Sequence, residues 1–364
     1  MNVVLAGGGT AGHVFPAIAV AGELRDRGAD VTFIGAGDGQ EASLVPDAGY
    51  RFVPVRAISA QTRLSLRSAR AVVLAVRGAR TVRPIVAPAD VVIGFGGFAS
   101  APGVLAARST SRPLLLIEQN SVPGAVNRIA ARWAKVVATT FEATAARLPR
   151  DLRVERTGNP IRPEIVAVPA RKESLAREAI ATFGLEEDRR TVLVVGGSLG
   201  ALHLDETVAG ALPLFEGRGD LQLLVSTGPE HEDVVAGPAA AAPVPVRVVP
   251  FIERMDLALA VAELVVSRSG AGVAELAACG LPSILVPYPF ATENHQEANA
   301  REVVHAGAAT LLLDADLSAE RLVSGILALM DDRARLEAMG AAARAWARPD
   351  AARQIADLVE EVVH

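Results

Sequence analysis

What most constrains this chain is a unit that recurs along it: a short β-branched run, then glycines, then a helical stretch. Extended runs at 3–6, 31–34, 90–93, 114–117 and 136–138 alternate with helical stretches at 17–27, 66–76 and 101–107. Such alternation predicts a parallel sheet with helices on both faces, because each parallel connection must cross the sheet. The series breaks at Thr157-Gly-Asn-Pro-Ile-Arg-Pro163, which reads as a linker. It restarts with strands at 191–195, 221–226, 246–249, 264–267 and 283–286 and a helix at 202–212. The expected fold is α/β, with two doubly wound parallel-sheet domains over 1–161 and 162–349. Pro349 interrupts the last helical region. Asp350 can then cap a final helix, 350–364, expected to pack back on the first domain.

At 364 residues the chain exceeds what one core usually serves. A content of 51% hydrophobic and 21% charged residues excludes a disordered chain, and a net charge of −5 argues against a nucleic-acid-coating surface. The single cysteine, Cys279, allows neither an internal disulfide nor a cysteine-based zinc site, and reads as a small core residue. The N-terminus lacks the basic and long apolar regions of a signal peptide. No window has the roughly 18 apolar residues of a membrane span. A cytoplasmic protein is expected.

Four glycine loops fall at expected strand ends, where folds of this kind bind ligands. The first, Gly7-Gly-Gly-Thr-Ala-Gly-His13, contains the spacing of a dinucleotide fingerprint. An NAD site also needs an acid ending the second strand, and nothing acidic follows Ile34 until Asp38, so NAD is not expected. The second is Gly94-Phe-Gly-Gly-Phe-Ala-Ser100. The third, Gly196-Gly-Ser-Leu-Gly-Ala201, lacks the Lys-Ser/Thr of an NTPase phosphate loop. The fourth, Ser267-Arg-Ser-Gly-Ala-Gly272, leads into a helix carrying Glu275, and helix amides suit a pyrophosphate. Further on, Gln296 and Asn299 share a helix face, and their amides can both donate to and accept from hydroxyls.

Taken together, the motifs Ala6-Gly-Gly-Gly-Thr-Ala-Gly-His-Val-Phe-Pro16, Gly94-Phe-Gly-Gly-Phe98, Glu118-Gln-Asn120, Gly158-Asn-Pro-Ile-Arg162, Gly196-Gly-Ser198, Arg268-Ser-Gly-Ala271 and His295-Gln296 with Asn299 resemble the MurG family over nearly the whole chain. These bacterial transferases add N-acetylglucosamine to the undecaprenyl-pyrophosphoryl-muramoyl-pentapeptide lipid of peptidoglycan synthesis. The resemblance implies the GT-B fold, two Rossmann-like domains with a cleft between them, and UDP-N-acetylglucosamine bound mainly by the second. It implies Glu275 on the ribose, backbone near Ile252 on the uracil, and Ser198, Arg162, Ala271 and Gly272 on the diphosphate. Gln296 and Asn299 would grip the sugar, while Thr10, Ala11, Gly12 and Asn120 would close on the donor. The acceptor would lie against Gly96, Gly97 and Phe98. From Arg268 to Glu275 the chain is one residue shorter than the usual family spacing, a rotation of about 100° on a helix.

The reaction so implied is a single inverting displacement needing a base and a charge sink for UDP. His13 is the candidate base, with an ordinary pKa of about 6.5; Glu118 is the competitor, as base or as an orienting group. Asp314-Ala-Asp316 has a metal-site form but stands just before a helix start, where turn and cap roles explain it. No cofactor and no required metal are expected. The stretch 61–83 carries Arg63, Arg67, Arg70, Arg77, Arg80 and Arg83, no acid, and interleaved apolar residues. It is expected to lie on anionic lipid at the cytoplasmic face of the membrane.

Overall fold

The structure, a computed structural model, describes residues 1–58, 66–197 and 200–363. It divides into two compact units. The first is Met1–Arg162 together with the chain from Arg348; the second is Pro163–Ala347.

The first unit holds a seven-stranded parallel sheet of β1 (Asn2–Ala6), β2 (Asp30–Ala36), β3 (Arg51–Val55), β4 (Val91–Gly94), β5 (Leu114–Glu118), β6 (Val136–Thr139) and β7 (Val154–Arg156). Their spatial order is β3-β2-β1-β4-β5-β6-β7. The second unit holds a six-stranded parallel sheet of β8 (Arg190–Val195), β9 (Leu221–Ser226), β10 (Val246–Val249), β11 (Ala262–Ser267), β12 (Ser283–Leu285) and β13 (Ala309–Leu311), in the order β10-β9-β8-β11-β12-β13.

Strand alternation builds the first unit's two cores. Val3 and Leu5 of β1, with Val91 and Ile93 of β4, join Val20 and Leu24 of the helix Ala11–Asp26 on one face. Val4 and Val92 join Val82 and Val86 of the helix Leu66–Val86 on the other. A sheet covered on both faces explains why its central strands read as unbroken apolar runs.

The helix Ala11–Asp26 begins six residues before the expected start at 17. Pro16 looks like a boundary in sequence, but here it sits inside the helix and only removes the bond to the Gly12 carbonyl. The last helix, Ala351–Val363, inserts Ile355, Ala356, Leu358 and Val359 into the core of β1 and β4. Arg27 pairs with Asp357 (2.7 Å) and Glu360 (3.1 Å) at its edge.

Ile355→Ala is expected to cost about 2–5 kcal/mol, since it empties a fully buried site. Calorimetry should show one transition lowered, while Ile129→Ala, at an exposed position, stays within about 0.5 kcal/mol of the parent.

Candidate active site

In a doubly wound sheet a crevice opens where successive crossovers turn in opposite directions. That point lies between β1 and β4 in the first unit and between β8 and β11 in the second. The four glycine loops are the four segments leaving these strands, so each pair meets at a switch point.

In the first unit the two loops touch. A Cβ on Gly7 would lie 2.7 Å from Phe95 Cβ, and one on Gly97 would lie 3.1 Å from the Gly8 carbonyl oxygen and 3.9 Å from His13 Nε2. Gly97 also has φ +69°, so its bare backbone beside the imidazole is required twice over. His13 sits in the first turn of the helix Ala11–Asp26, with Nδ1 hydrogen-bonded to Thr10 Oγ1 at 3.0 Å. That bond turns Nε2 toward Gly97. Gly96 (φ +75°) passes close to the Asn127 amide, and Phe98 is half-buried in the helix Gly97–Thr110. Arg162 stacks its guanidinium over the Phe15 ring, 4.6 Å from the centroid, a cation–π contact that holds the charge near the helix start.

An acid absent from the sequence reading governs the first loop. Glu41 is buried, and its Oε2 accepts from Gly9 N–H at 2.8 Å. In a dinucleotide fingerprint such an amide faces phosphate. Here a carboxylate of the chain already occupies it.

Glu118 ends β5 and is buried. Its Oε1 accepts from Asn120 N–H (3.0 Å), and its Oε2 from Gly124 N–H (3.0 Å) and Asn127 Nδ2 (2.9 Å). Burial pushes its carboxyl above the usual range, against the pull of those donors. Both of its oxygens are occupied by donors of the following loop. One of these donors belongs to Asn120, whose carbonyl also accepts from Thr144.

In the second unit, Ser198 lies outside the described residues. Around it, Gly197 (φ +99°) and Gly200 (φ +76°) bend the third loop, and a Cβ at Gly200 would fall 2.0 Å from the Thr227 carbonyl oxygen. Asp205, fully buried, accepts from Ala201 N–H (3.3 Å) and bonds His231 Nδ1 (3.2 Å). Burial pushes its carboxyl up to about 6, against the Ala201 and His231 bonds and the charge of Arg268.

The fourth loop rests on Arg268, whose buried Nη1 donates to the carbonyls of Val286 and Pro287 (3.1 Å each) and to Asp314. Asp314 also bonds His203 Nδ1 at 2.9 Å; despite burial, these two partners lower its carboxyl pKa. Asp316 pairs with Arg321, and Ser318 caps the helix Ala319–Met330, so both acids of the Asp-x-Asp are tied to basic side chains.

Gln296 Oε1 accepts from Tyr288 N–H (2.9 Å) and Ser269 N–H (3.3 Å), and Asn299 Nδ2 donates to the Ser269 carbonyl (3.1 Å). Asn299 is fully buried. It braces the loop from within. Gln296 keeps its amide nitrogen beside Gly270. Ala271 and Gly272 form the turn into the helix Val273–Ala278, where Glu275 is half-buried among buried apolar neighbours. Ile252 buries its side chain after β10; its main chain makes no hydrogen bond among the described residues.

Residues 3–139 match the glycosyltransferase family 28 N-terminal domain, and residues 191–358 the family 28 C-terminal domain. The chain is 41% identical to the UDP-N-acetylglucosamine–N-acetylmuramyl-(pentapeptide) pyrophosphoryl-undecaprenol N-acetylglucosamine transferase of a Nocardioides species, covering 100% of this chain and 98% of that one. It is 38% identical to the same-named enzyme of Desulforudis audaxviator, again covering 100% and 98%. The crystal structure of Acinetobacter baumannii MurG superposes with a TM-score of 0.78 at 31% identity, covering 99% of each chain.

This chain belongs to the MurG family of glycosyltransferases.

The UDP-N-acetylglucosamine 2-epimerase of Neisseria meningitidis, at 13% identity and a TM-score of 0.71, shares the fold alone. The parts of this MurG-family site that sequence reading missed are its supports: Glu41, the Asp205–His231 pair and the Arg268–Asp314–His203 chain. Only the clustering of glycines around residue 41 hinted at one of them.

Asp205 gives a pH prediction. The folded chain holds its proton more tightly than the unfolded one, so its stabilising contribution is complete below about pH 4 and is lost as pH rises through about 6. Asp205→Asn should melt higher than the parent at about pH 7.5 and nearly together with it at about pH 4. A parent-like melting curve at both pH values would remove the buried proton from the account.

Proposed function

We propose that this chain is an inverting glycosyltransferase. It moves N-acetylglucosamine from UDP-N-acetylglucosamine to the 4-hydroxyl of the muramoyl sugar of undecaprenyl-pyrophosphoryl-MurNAc-pentapeptide, taking lipid I to lipid II. The observation that supports this most is the imidazole of His13, set between two glycine loops at a switch point with Nε2 beside Gly97.

In the proposed step the acceptor oxygen bonds to the anomeric carbon as the bond from that carbon to UDP breaks. His13 Nε2 takes the hydroxyl proton, and the electron pair leaves on the diphosphate. Thr10 fixes the ring through Nδ1, the usual way an imidazole base is oriented. Arg162, Ser198 and the Ala271–Gly272 turn are assigned to the diphosphate, where preorganised donors meet developing charge. Glu275 takes the ribose, Ile252 the uracil through its main chain, and Gln296 the sugar through its amide nitrogen. Thr10, Ala11, Gly12 and Asn120 also serve the donor; Gly96, Gly97 and Phe98 serve the acceptor.

The site acts at the cytoplasmic face of the membrane, since a polyprenyl acceptor stays in the bilayer. Along the helix Leu66–Val86, Val72, Val73 and Val76 are exposed beside exposed Arg70, Arg77, Arg80 and Arg83, a composition suited to anionic lipid. Arg63 lies outside the described residues. Among the described residues no helix is long and apolar enough to cross a membrane.

The test is UDP release from UDP-N-acetylglucosamine with a short-chain lipid-linked muramoyl-pentapeptide, in EDTA. Release that requires the acceptor is expected, and donor turnover without acceptor would point to epimerase chemistry instead. His13→Ala should lower kcat by roughly 10²–10⁴-fold. A loss below about tenfold would reject it as the base. Replacing Val72, Val73 and Val76 by serine should weaken binding to anionic vesicles while leaving the donor KM unchanged. Undiminished vesicle binding would move the membrane contact elsewhere.

A further inference from the structure

Glu41 is the least expected group in the first unit. It opens the short helix Glu41–Asp47, yet it is only 1% exposed. Its carboxylate joins the ends of two neighbouring strands: Oε1 accepts from Ala36 N–H, the last residue of β2, and Oε2 from Gly9 N–H, just past β1, both at 2.8 Å. No arginine, lysine or histidine pairs with it among the described residues.

The surrounding sequence is shaped to it. A Cβ on Gly8 would fall 2.0 Å from Glu41 Oε1, one on Gly39 2.2 Å from Oε2, and one on Gly35 2.7 Å from Cγ. Three glycines thus owe their missing side chains to one carboxylate.

The loop that Glu41 holds carries the reacting group. Gly9 precedes Thr10, and Thr10 Oγ1 bonds His13 Nδ1. On the other side, the Gly8 carbonyl closes against Gly97, which borders His13 Nε2. The peptide 8–9 therefore lies between the carboxylate and the imidazole, and its orientation sets the start of the helix bearing His13.

We propose that Glu41 is a positioning residue for the transfer reaction: its buried carboxyl group, bonded to Gly9 and Ala36, locks the first glycine loop and thereby aims His13. This rests on the reading of His13 as the base. Two bonds of 2.8 Å made inside a side-chain environment closed to water hold the loop more firmly than the same bonds would in solvent, so the lock is stiff. Displacing a reacting group by about 1 Å can cost on the order of 100-fold in rate, so the lock bears on kcat.

Glu41→Gln keeps the shape but turns one acceptor into a donor facing an N–H, releasing either Gly9 or Ala36. It is expected to lower kcat by roughly 10–100-fold, a larger loss than the accompanying rise in donor Kd, read by calorimetry on UDP-N-acetylglucosamine, since the same loop carries the proposed donor contacts Thr10, Ala11 and Gly12. Glu41→Asp, which keeps the charge and shortens the reach, should recover part of the loss, and it serves as the main variant should the glutamine chain fail to fold.

The deciding measurement is a cycle with His13→Ala. If Glu41 acts through the imidazole, its substitution should change the residual rate of His13→Ala by less than about threefold. An equal loss in both backgrounds, or a parent-like kcat in Glu41→Gln, overturns the proposal. A His13→Ala enzyme that retains parent activity overturns the reading of the base, whatever Glu41→Gln does.

Discussion

Everything functional in this chain depends on the direction of its strands. Because all strands in each sheet run parallel, every loop leaving a strand's C-terminal end emerges on the same edge, and the chain reverses its winding once in each sheet. The loops at that reversal must run side by side. Space at the first sheet's reversal is so short that a Cβ at Gly7 or Gly97 would press into the neighbouring strand's exit. Glycine is therefore a packing requirement of the crevice before it is a binding device, and a glycine-rich loop alone says little about a ligand.

A loop rich in glycine is entropically costly to hold still. The chain meets that cost with buried carboxylates. Glu41 binds the amides of Gly9 and Ala36, Glu118 those of Asn120 and Gly124, and Asp205 that of Ala201. Asp205 follows its loop directly, Glu118 ends the strand before its loop, and Glu41 reaches the first loop from 32 residues further along the chain. Each such hydrogen bond contributes about 0.5–1.5 kcal/mol net, while a buried amide left orphaned would cost about 1–3 kcal/mol. Burial resists the charge, and the raised carboxyls of Glu118 and Asp205 register that resistance.

How far the sequence could be read follows the same physics. The central strands were legible because burial on both faces makes them uniformly apolar, as in Leu114–Glu118 up to its last residue. The edge strands β3, β7 and β13 escaped notice: Arg51-Phe-Val-Pro-Val carries a proline, tolerated where no ladder partner is needed, and the other two are three residues long. The glycine loops and His13 were visible as local patterns. The acids that hold the loops were not, because Glu41, Asp205 and Asp314 meet their partners only through folding across 32, 26 and 46 residues. The helix face shared by Gln296 and Asn299 was legible, but sequence could not tell that Asn299 turns inward onto Ser269.

The two units use one architecture with different backing. Behind the first unit's loops the carboxyl groups of Glu41 and Glu118 consume amides that a phosphate would need. What such a crevice can offer is a side chain, and His13 is the one aimed there. Behind the second unit's fourth loop the buried Arg268 is tied to the Val286 and Pro287 carbonyls and to Asp314, so that loop is held by a paired side chain beneath it. The proton removal proposed for His13 thus falls in the crevice whose loop amides the chain's own acids already occupy.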